Sequence, residues 1–451
     1  MKQFRIVFIA ALSVLFTQVS AQQNNVAVDS AALFQAQQLK QTEQNVGPHN
    51  SHPNAQWFPK AGLGLFIHWG MVAVKGSGDL SWCMLANKPW KDATITPNDY
   101  YACASQWKPT DINFDKMLKA AKAAGVTYAV FVTKHHDGFT LWPSKYGEIG
   151  TKYQFGGRDF VKEFVAACRK NKIRVGLYFS PPDWYFGRQY KSYSFRGSEQ
   201  LDMDHKPTVL PKKPADFEQK RREFIQNQVT ELLTNYGKID LIWFDGGGGE
   251  IPNKTVRELQ PGIVINKRNG GGGDYGDSEG ALPQKRFNGW FETCETCWPS
   301  RKWSYTEDYG WDTAPEVITE LVKLRAWGGN LLANVGPKAS GEVPQQALSA
   351  WSEMAAWMKH SRESVIGANA GPWPADVNTP VTTNDGVAYV HFLPGEKAEV
   401  VWKNAPKPEK AFLLKTKKAV AFTYENGTLK LNIPENQRTN NVDVVKLILK
   451  K

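Results

Sequence analysis

The sequence predicts an α/β protein in which a (β/α)8-like TIM barrel is followed by a C-terminal antiparallel β-sandwich domain. Short apolar strands alternate with amphipathic helices over roughly 300 residues, which is typical of a parallel sheet. Polar residues follow many different strands, and no glycine-rich phosphate fingerprint follows the first, which favours a barrel over a doubly wound sheet. Beyond about Gly371 the strands are short and are separated by Asn-Gly and Asp-Gly turns, as in a sandwich.

Six runs of mostly apolar residues predict the barrel strands, because a strand of a parallel barrel is covered on both faces. In chain order they are Leu63–His68, Tyr128–Lys134, Arg174–Ser180, Leu241–Asp245, Ile263–Lys267 and Asn330–Val335. Between them, apolar residues recur every three or four positions, which predicts amphipathic helices. These helices are Phe114–Ala124, Asp159–Lys172, Phe224–Tyr236, Val317–Ala326 and Ala347–Met358. The alternation predicts a barrel domain over residues 51–365.

The C-terminal part reads as strands joined by tight turns. A linker containing Pro372 and Pro374 precedes it. The predicted strands are Val387–Phe392, Ala398–Trp402, Ala411–Leu414, Val420–Tyr424, Leu429–Ile433 and Val442–Leu449. Their spacing predicts a β-sandwich domain over residues 371–451.

The first 21 residues have the features of a secretory signal peptide. Lys2 and Arg5 precede the apolar stretch Ile6–Phe16, and small residues at positions 19–21 form a cleavage site. The apolar stretch is shorter than the ~20 residues that span a bilayer, and no other segment reaches that length. We therefore expect an exported protein, periplasmic or secreted, without a membrane span. Residues 22–50 form a polar N-terminal segment.

Charge and cysteine content narrow the functional classes. The net charge of +11 comes from 55 basic and 44 acidic residues spread along the chain, so no nucleic-acid partner is expected. The 17 tryptophans suit a sugar-binding enzyme, since indole faces stack on sugar rings. The odd number of five cysteines argues against a complete disulfide framework. We favour free buried thiols over a Cys294–Cys297 disulfide and place metal binding last.

Polar side chains stand at the carboxyl ends of five consecutive predicted strands. They are His68 after the first, His135, His136 and Asp137 after the second, Tyr178 and Asp183 at the third, Asp245 at the fourth and Arg268 at the fifth. In a barrel all strands end at one mouth, where catalytic groups lie. Because His, Arg and carboxylate groups form directional hydrogen bonds to hydroxyls, this set predicts a site for a polyhydroxylated ligand.

Several of these segments resemble the signature sequences of glycoside hydrolase family 29, the α-L-fucosidases. The similar segments are Gly64–Gly70, Thr133–Phe139, Gly176–Ser180, Trp243–Gly246 and Gly328–Pro337, in the family's order over residues 55–365. The resemblance implies a retaining exo-glycosidase that hydrolyses terminal α-L-fucosyl linkages of glycans through a covalent glycosyl-enzyme intermediate. The implied substrate is a fucosylated oligosaccharide or glycoconjugate, and no cofactor or metal ion is expected.

The resemblance also implies roles for individual residues. Asp245 matches the family nucleophile. Glu279 matches the acid/base by its position after Arg268 and its spacing in Asp-Tyr-Gly-Asp-Ser-Glu, and we expect it on a glycine-rich loop; Glu292, in Phe-Glu-Thr-Cys, is the alternative acid/base. The sugar-binding positions are His68, Trp82, His135, His136, Tyr178 and Arg268, with Trp303 or Trp311 as further candidates.

Two departures from the family pattern concern substrate recognition. The usual Glu-Trp pair after the first strand is replaced by Ser81-Trp82, with Asp79 nearby, and the usual Asn-Asp-Arg-Trp by Asn-Lys-Arg-Asn over residues 266–269. One alternative is therefore a related glycosidase whose altered pocket accepts a fucose-like sugar such as an α-L-galactoside. Another is a catalytically weak barrel that binds glycans.

A last alternative is a metal hydrolase that uses His135, His136 and Asp137. Adjacent histidines on a strand point to opposite faces, so they would converge on one metal ion only if the strand end is bulged. For this reason we rank this alternative last.

Overall fold

The computed structural model describes residues 48–90, 94–283, 285–298, 301–308 and 310–450. The predicted signal peptide and the predicted polar segment up to residue 47 lie outside the described residues. None of the helices in the described ranges combines the length and the apolar character needed to cross a membrane.

Eight parallel strands form a nearly closed barrel. They are β1 (Leu63–Ile67), β2 (Tyr128–Lys134), β3 (Arg174–Phe179), β4 (Leu241–Phe244), β5 (Val264–Ile265), β6 (Tyr275–Glu279), β7 (Trp290–Glu295) and β8 (Asn330–Val335). Their order in the sheet is β5-β4-β3-β2-β1-β8-β7-β6. A single parallel bridge between Asn266 and Tyr275 joins the two edge strands. The predicted barrel fold is confirmed.

Seven α-helices are described. They are α1 (Pro97–Gln106), α2 (Phe114–Ala123), α3 (Phe160–Lys170), α4 (Phe217–Thr234), α5 (Asn253–Leu259), α6 (Ala314–Trp327) and α7 (Gln345–Ser361). Within the described residues, the connections from β5 to β6 and from β6 to β7 contain no helix. In the described residues, β5 and β6 are therefore the barrel strands that are not followed by a helix before the next strand begins.

Local sequence signals explain where helices begin and end. The N-terminus of α6 has a capping box in which Thr313 and Glu316 satisfy each other's backbone N–H groups. Gly328 ends the same helix at φ 87°, a left-handed conformation that favours glycine. Asp159 caps α3 by accepting a hydrogen bond from the backbone N–H of Lys162. These caps fix the ends of α3 and α6 close to the predicted bounds, whereas α4 begins at Phe217, seven residues before the predicted start.

Two barrel strands, β6 and β7, were not predicted. β6 has the sequence Tyr-Gly-Asp-Ser-Glu, which lacks the apolar run of a buried strand, and it has no helix on either side to mark it. The fifth predicted strand, Ile263–Lys267, is shorter in the structure, where regular pairing covers Val264–Ile265. The physical reason is that barrel closure supplies hydrogen-bond partners to segments with weak intrinsic strand character.

The C-terminal part consists of two antiparallel sheets. The strands are β9 (Asn369–Ala370), β10 (Val381–Asn384), β11 (Val387–Phe392), β12 (Glu399–Trp402), β13 (Pro408–Leu413), β14 (Phe422–Glu425), β15 (Thr428–Asn432) and β16 (Asp443–Leu449). One sheet has the order β13-β16-β11-β10-β9 and the other β12-β15-β14. Apolar side chains of both sheets, among them Val390, Leu431 and Val445, share one buried core. The predicted sandwich is confirmed.

All five cysteines are free thiols with buried side chains. Cys294 lies in β7 and Cys297 shortly after it, and the two do not form a disulfide. Burial raises the pKa of both thiols well above the ordinary value, so they behave as small apolar groups of the core.

Candidate active site

A pocket opens at the carboxyl ends of the barrel strands. Its volume is about 280 Å³, close to the lower end of ligand pockets (about 300–1,000 Å³) and suited to one sugar unit. Its polar lining consists of His68, Asp79, His135, His136, Tyr178, Asp245, Arg268, Glu279 and Arg301. Its apolar lining includes Phe66, Trp82, Trp90, Trp184, Trp243 and Trp303. The structure thus brings together the predicted catalytic pair and all six predicted sugar-binding residues.

Asp245 follows the last residue of β4 and extends into the pocket. The hydroxyl of Tyr178 donates a hydrogen bond to its Oδ2 (2.8 Å), and Nη1 of Arg268 donates one to its Oδ1 (3.2 Å). Burial alone would raise the pKa of Asp245, but Arg268 and the hydrogen bond from Tyr178 hold it below the ordinary value. The carboxylate is therefore ionised at neutral pH. Gly246, at φ 73°, turns the chain away directly behind it.

Arg268 connects the two predicted catalytic carboxylates. Nη2 donates to Oε2 of Glu279 (2.9 Å), while Nη1 bonds to Asp245. Nε donates to Asp277 (2.6 Å), and the guanidinium lies 4.5 Å from the ring of Trp243. Because the two carboxylates bind neighbouring nitrogens of one guanidinium, they lie close together, as the two catalytic carboxyl groups of a retaining glycosidase do.

Glu279 is the last residue of β6, whereas we predicted it on a glycine-rich loop. The strand was missed because its residues are polar, and the paired backbone now gives Glu279 a rigid position. Burial, together with the nearby charge of Asp245, raises the pKa of Glu279 above its ordinary value despite the attraction of Arg268. Of two neighbouring carboxyl groups, the one with the lowered pKa suits the role of a base or nucleophile, and the one with the raised pKa suits the role of an acid.

Glu292, the alternative acid/base, lies in the barrel interior and does not line the pocket. The hydroxyls of Tyr128 and Tyr275 and Nε1 of Trp243 (3.1 Å) donate hydrogen bonds to its carboxylate. Burial raises the pKa of Glu292 to about 7. Since Trp243 also lies beneath Arg268, Glu292 supports the floor of the pocket without reaching a substrate.

The Glu292→Gln variant is expected to be less stable, because the amide nitrogen of Gln replaces one carboxylate oxygen and cannot accept the hydrogen bonds that this oxygen accepts. We expect a loss of about 1–3 kcal/mol in the free energy of unfolding at pH 5. Folding raises the pKa of Glu292 from 4.5 to about 7, so the free energy of unfolding of the wild type decreases as the pH rises between these values. Gln does not titrate, so the variant lacks this decrease, and its stability deficit is larger at pH 5 than at pH 8. Tm measured at pH 5 and pH 8 tests this: an equal deficit at both pH values would contradict it.

The adjacent histidines His135 and His136 face the same pocket, contrary to our expectation that they point to opposite faces. Their ring centroids are 4.4 Å apart, and both rings line the cavity. The reason is that β2 ends at Lys134 with an irregular register beside β3, so the histidines lie beyond the alternating strand. Burial lowers the pKa of His136 to about 4 and that of His135 well below its ordinary value.

The three residues predicted for a metal hydrolase do not converge. Asp137 accepts hydrogen bonds from the Tyr100 hydroxyl (2.6 Å) and the Phe139 backbone N–H (2.8 Å), away from the two histidines. His135, His136 and Asp245 instead offer ligand atoms within 4.8 Å of one another. A cation held there would lie beside the guanidinium of Arg268, which bonds to the same carboxylate of Asp245. Charge repulsion makes this a poor metal site.

Ser81 does not occupy the pocket, although it stands where the family pattern has a Glu. Its hydroxyl is buried behind His135, with Oγ 2.6 Å from Nδ1 of that ring. Asp79, two residues earlier, lines the pocket instead, and its Oδ2 accepts a hydrogen bond from Nε1 of Trp90 (3.1 Å) with Lys88 3.6 Å away. The carboxylate at this wall is therefore Asp79.

Aromatic rings form the walls of the pocket. Trp82 meets the rings of His136 (5.5 Å) and Trp184 (5.6 Å) edge to face, and Trp303 lies 4.8 Å from His68. Trp311, a further candidate from the sequence, does not line the pocket, because its ring is buried beside Trp351. Such walls stack on the apolar faces of a sugar.

Among the lining or supporting residues that were not predicted are Asp79 as a wall residue, Asp277, Trp184 and Arg301. A signal for Asp277 was present, since it precedes Glu279 by two positions and so lies on the same face of a strand. Trp184 follows the end of β3 directly after Asp183, where further lining residues are expected. For Arg301 the sequence offered no signal.

Comparisons with known proteins agree with this geometry. The model of the family described as Alpha-L-fucosidase matches residues 30–363. The tissue alpha-L-fucosidase of Mus musculus is 29% identical over 400 residues, which cover 80% of this chain and 83% of that protein. Alpha-L-fucosidase isoenzyme 1 from Paenibacillus thiaminolyticus has a TM-score of 0.78 at 29% identity, covering 88% of this chain and 99% of its own. An alpha-L-fucosidase GH29 from Bacteroides thetaiotaomicron, trapped as a covalent intermediate with 2-fluoro-fucosyl fluoride, has a TM-score of 0.75 at 25% identity, covering 92% and 99%.

Proposed function

The chain belongs to the α-L-fucosidase family, and on this premise we propose that it is an exported retaining exo-glycosidase that removes terminal α-L-fucosyl groups from glycans. The observation that carries the proposal is the guanidinium of Arg268 between two carboxyl groups whose pKa values are shifted in opposite directions. A retaining glycosidase needs this pair, one carboxylate ionised and the other protonated. Hydrolysis of an aryl α-L-fucoside with retention of the anomeric configuration tests the proposal.

The proposed reaction has two steps. First, a carboxylate oxygen of Asp245 attacks the anomeric carbon, the bond to the leaving oxygen breaks, and that oxygen takes the proton of Glu279. Next, the Glu279 carboxylate removes a proton from water as the water oxygen attacks the anomeric carbon and releases Asp245. The hydrogen bonds from Tyr178 and Arg268 support Asp245 as the nucleophile, because they keep it ionised and aimed into the pocket.

Export rests on the predicted signal peptide. The N-terminal charges, apolar stretch and small-residue cleavage site support a periplasmic or secreted protein. Edman sequencing or mass spectrometry of the mature protein tests this, with a new N-terminus at Gln22 as the expected result.

Asp79 is proposed to accept hydrogen bonds from sugar hydroxyls. The Asp79→Asn variant is expected to raise KM about 10- to 100-fold with a smaller change in kcat, since a charged hydrogen bond contributes about 1.5–3 kcal/mol. Asp385→Asn, at an exposed turn of the sandwich, is the matched control. Michaelis–Menten kinetics on an aryl α-L-fucoside measure both variants, and an unchanged KM for Asp79→Asn would remove this role.

A second candidate substrate is a fucose-like sugar such as an α-L-galactoside. The favouring observation is that the usual Glu is absent and the shorter Asp79 lies at the wall instead. A panel of aryl glycosides separates the two substrates by kcat/KM. A clear preference for the fucoside eliminates the galactoside.

A further inference from the structure

The three histidines of the pocket share one feature: Nδ1 of each ring contacts a polar side chain behind it. Nδ1 of His68 lies 2.7 Å from Oδ1 of Asn334. Nδ1 of His135 lies 2.6 Å from Oγ of Ser81, and Nδ1 of His136 lies 2.5 Å from Oγ of Ser180. This leaves Nε2 of each ring for a ligand. Burial lowers the pKa of His68 and His136 to about 4 and that of His135 well below its ordinary value, so each ring is neutral at pH 7 and carries one hydrogen.

His68 and Asn334 have only one arrangement that satisfies both groups. Nδ2 of Asn334 donates to the backbone carbonyl of Trp303 (2.8 Å), which orients the amide. Its Oδ1 therefore faces His68 and can only accept. The hydrogen of His68 is on Nδ1, and its Nε2 presents a lone pair to the pocket.

Ser180 assigns the same tautomer to His136. The Ser180 hydroxyl donates its hydrogen to the backbone carbonyl of Pro182 (3.1 Å). With its hydrogen directed to that carbonyl, the Ser180 oxygen accepts from His136, which places the hydrogen of His136 on Nδ1. Its Nε2 is again an acceptor, 3.7 Å from Oδ2 of Asp245.

Ser81 assigns the opposite tautomer to His135. The Ser81 oxygen accepts a hydrogen bond from the backbone N–H of Asp137 (2.8 Å). Within the part of the chain that the structure describes, the Ser81 hydroxyl reaches no acceptor other than Nδ1 of His135. The hydroxyl therefore donates to Nδ1, and the hydrogen of the ring is on Nε2, where it faces the pocket as a donor.

We propose that Asn334, Ser81 and Ser180 fix the tautomers of the pocket histidines, so that the sugar meets one donor, His135, and two acceptors, His68 and His136. Ser81 is then a positioning residue that defines the hydrogen-bonding role of His135. This inference rests on the proposed function in that the ligand is a sugar. It predicts that hydroxyls donating to His68 and His136 cannot be replaced by fluorine, which carries no hydrogen, whereas the hydroxyl that accepts from His135 tolerates this change better.

The direct test is the tautomeric state of the resting wild-type protein, without substrate. Long-range ¹H–¹⁵N NMR of the imidazoles at pH 7, assigned with single His→Gln variants, resolves which nitrogen of each ring is protonated; the chain has eight histidines. We expect Nε2–H for His135 and Nδ1–H for His68 and His136. A His135 that carries its hydrogen on Nδ1 overturns the proposal. Because no turnover is measured, this result is independent of whether the protein is a fucosidase.

Variants test the role of the two serines. In Ser81→Ala the His135 signal is expected to become a mixture of tautomers while His136 is unchanged, and in Ser180→Ala the reverse. Binding of L-fucose is expected to weaken about tenfold in Ser81→Ala, the loss of roughly one hydrogen bond. Ser364→Ala, which removes a buried hydroxyl that bonds to the Ser361 carbonyl, is the control and leaves tautomers and binding unchanged. A Ser81→Ala protein with lower Tm but an unaltered His135 signal shows a structural role only and overturns the proposal.

Discussion

The Asp245→Ala variant is expected to hydrolyse an aryl α-L-fucoside at least about 10⁴-fold more slowly than the wild type, as removal of a catalytic nucleophile does in other hydrolases. The physical reason is that Asp245 is the carboxylate that Tyr178 and Arg268 orient and keep ionised, so the variant lacks the group that attacks the anomeric carbon. Steady-state kcat measures the effect. The matched control is Asp240→Asn at the opposite end of the same strand, where the carboxylate accepts the backbone N–H of Val175 (2.9 Å). The control is expected to lower Tm and leave kcat unchanged.

Trapping the covalent intermediate is a second test of Asp245 as the nucleophile. Reaction of the wild type with 2-fluoro-fucosyl fluoride is expected to add one fluorofucosyl mass to the peptide that contains Asp245. The electron-withdrawing fluorine on the sugar ring slows both the formation and the hydrolysis of the intermediate. The fluoride leaving group restores the rate of formation, so the intermediate accumulates. Labelling of a different carboxylate, or a variant that keeps the wild-type kcat, would overturn the role of Asp245.

The Glu279→Gln variant is expected to show a loss that depends on the leaving group. For an alkyl or sugar leaving group, which needs protonation, we expect a fall in kcat/KM of about 10²–10⁴-fold, the range of general acid catalysis. For a dinitrophenyl leaving group the first step needs no proton and the loss is small. Added azide, which attacks the intermediate without a base, is expected to restore turnover of the dinitrophenyl substrate. Equal losses on both substrates would contradict the acid/base role.

The pH dependence of activity tests the same roles, Asp245 as the nucleophile and Glu279 as the acid. The pKa of Asp245 is held below the ordinary value, so activity falls as pH drops through it and the nucleophile becomes protonated. The pKa of Glu279 is raised, so activity falls as pH rises through it and the acid loses its proton. For a substrate with an alkyl or sugar leaving group, the alkaline fall is expected to disappear from the residual activity of Glu279→Gln. A wild type without turnover on any fucoside would instead favour the glycan-binding alternative.

Much of the barrel was readable from the sequence because its strands and helices have strong local signals. The apolar run Leu241–Phe244 is covered on both faces and forms a strand wherever the rest of the sheet allows it. By contrast, Tyr275–Glu279 is a strand only because the closed sheet pairs it with β7. Glu279 was therefore assigned correctly to the pocket but to the wrong kind of backbone.

The sequence also showed which residue types the site contains, because these residues follow strands with strong local signals. It did not show their hydrogen-bond partners. Ser81 was expected to change the wall that contacts the sugar, whereas it lies behind His135 and Asp79 lines that wall. Glu292 and Glu279 are both acidic residues in neighbouring strands, but they lie at different depths in the barrel. Only Glu279 reaches the pocket.

From the order of its residues alone, this chain determines a barrel, a sandwich, and a set of strand ends that meet at one mouth, with Asp245 among them. These features depend on periodicity and on the rule that parallel strands end on the same side, which are local or topological. The tertiary structure decides the rest: Arg268 between Asp245 and Glu279, the two pKa shifts, and the common direction of His135 and His136. These depend on burial and on contacts between residues distant in sequence, because desolvation and charge interactions are set by three-dimensional neighbours.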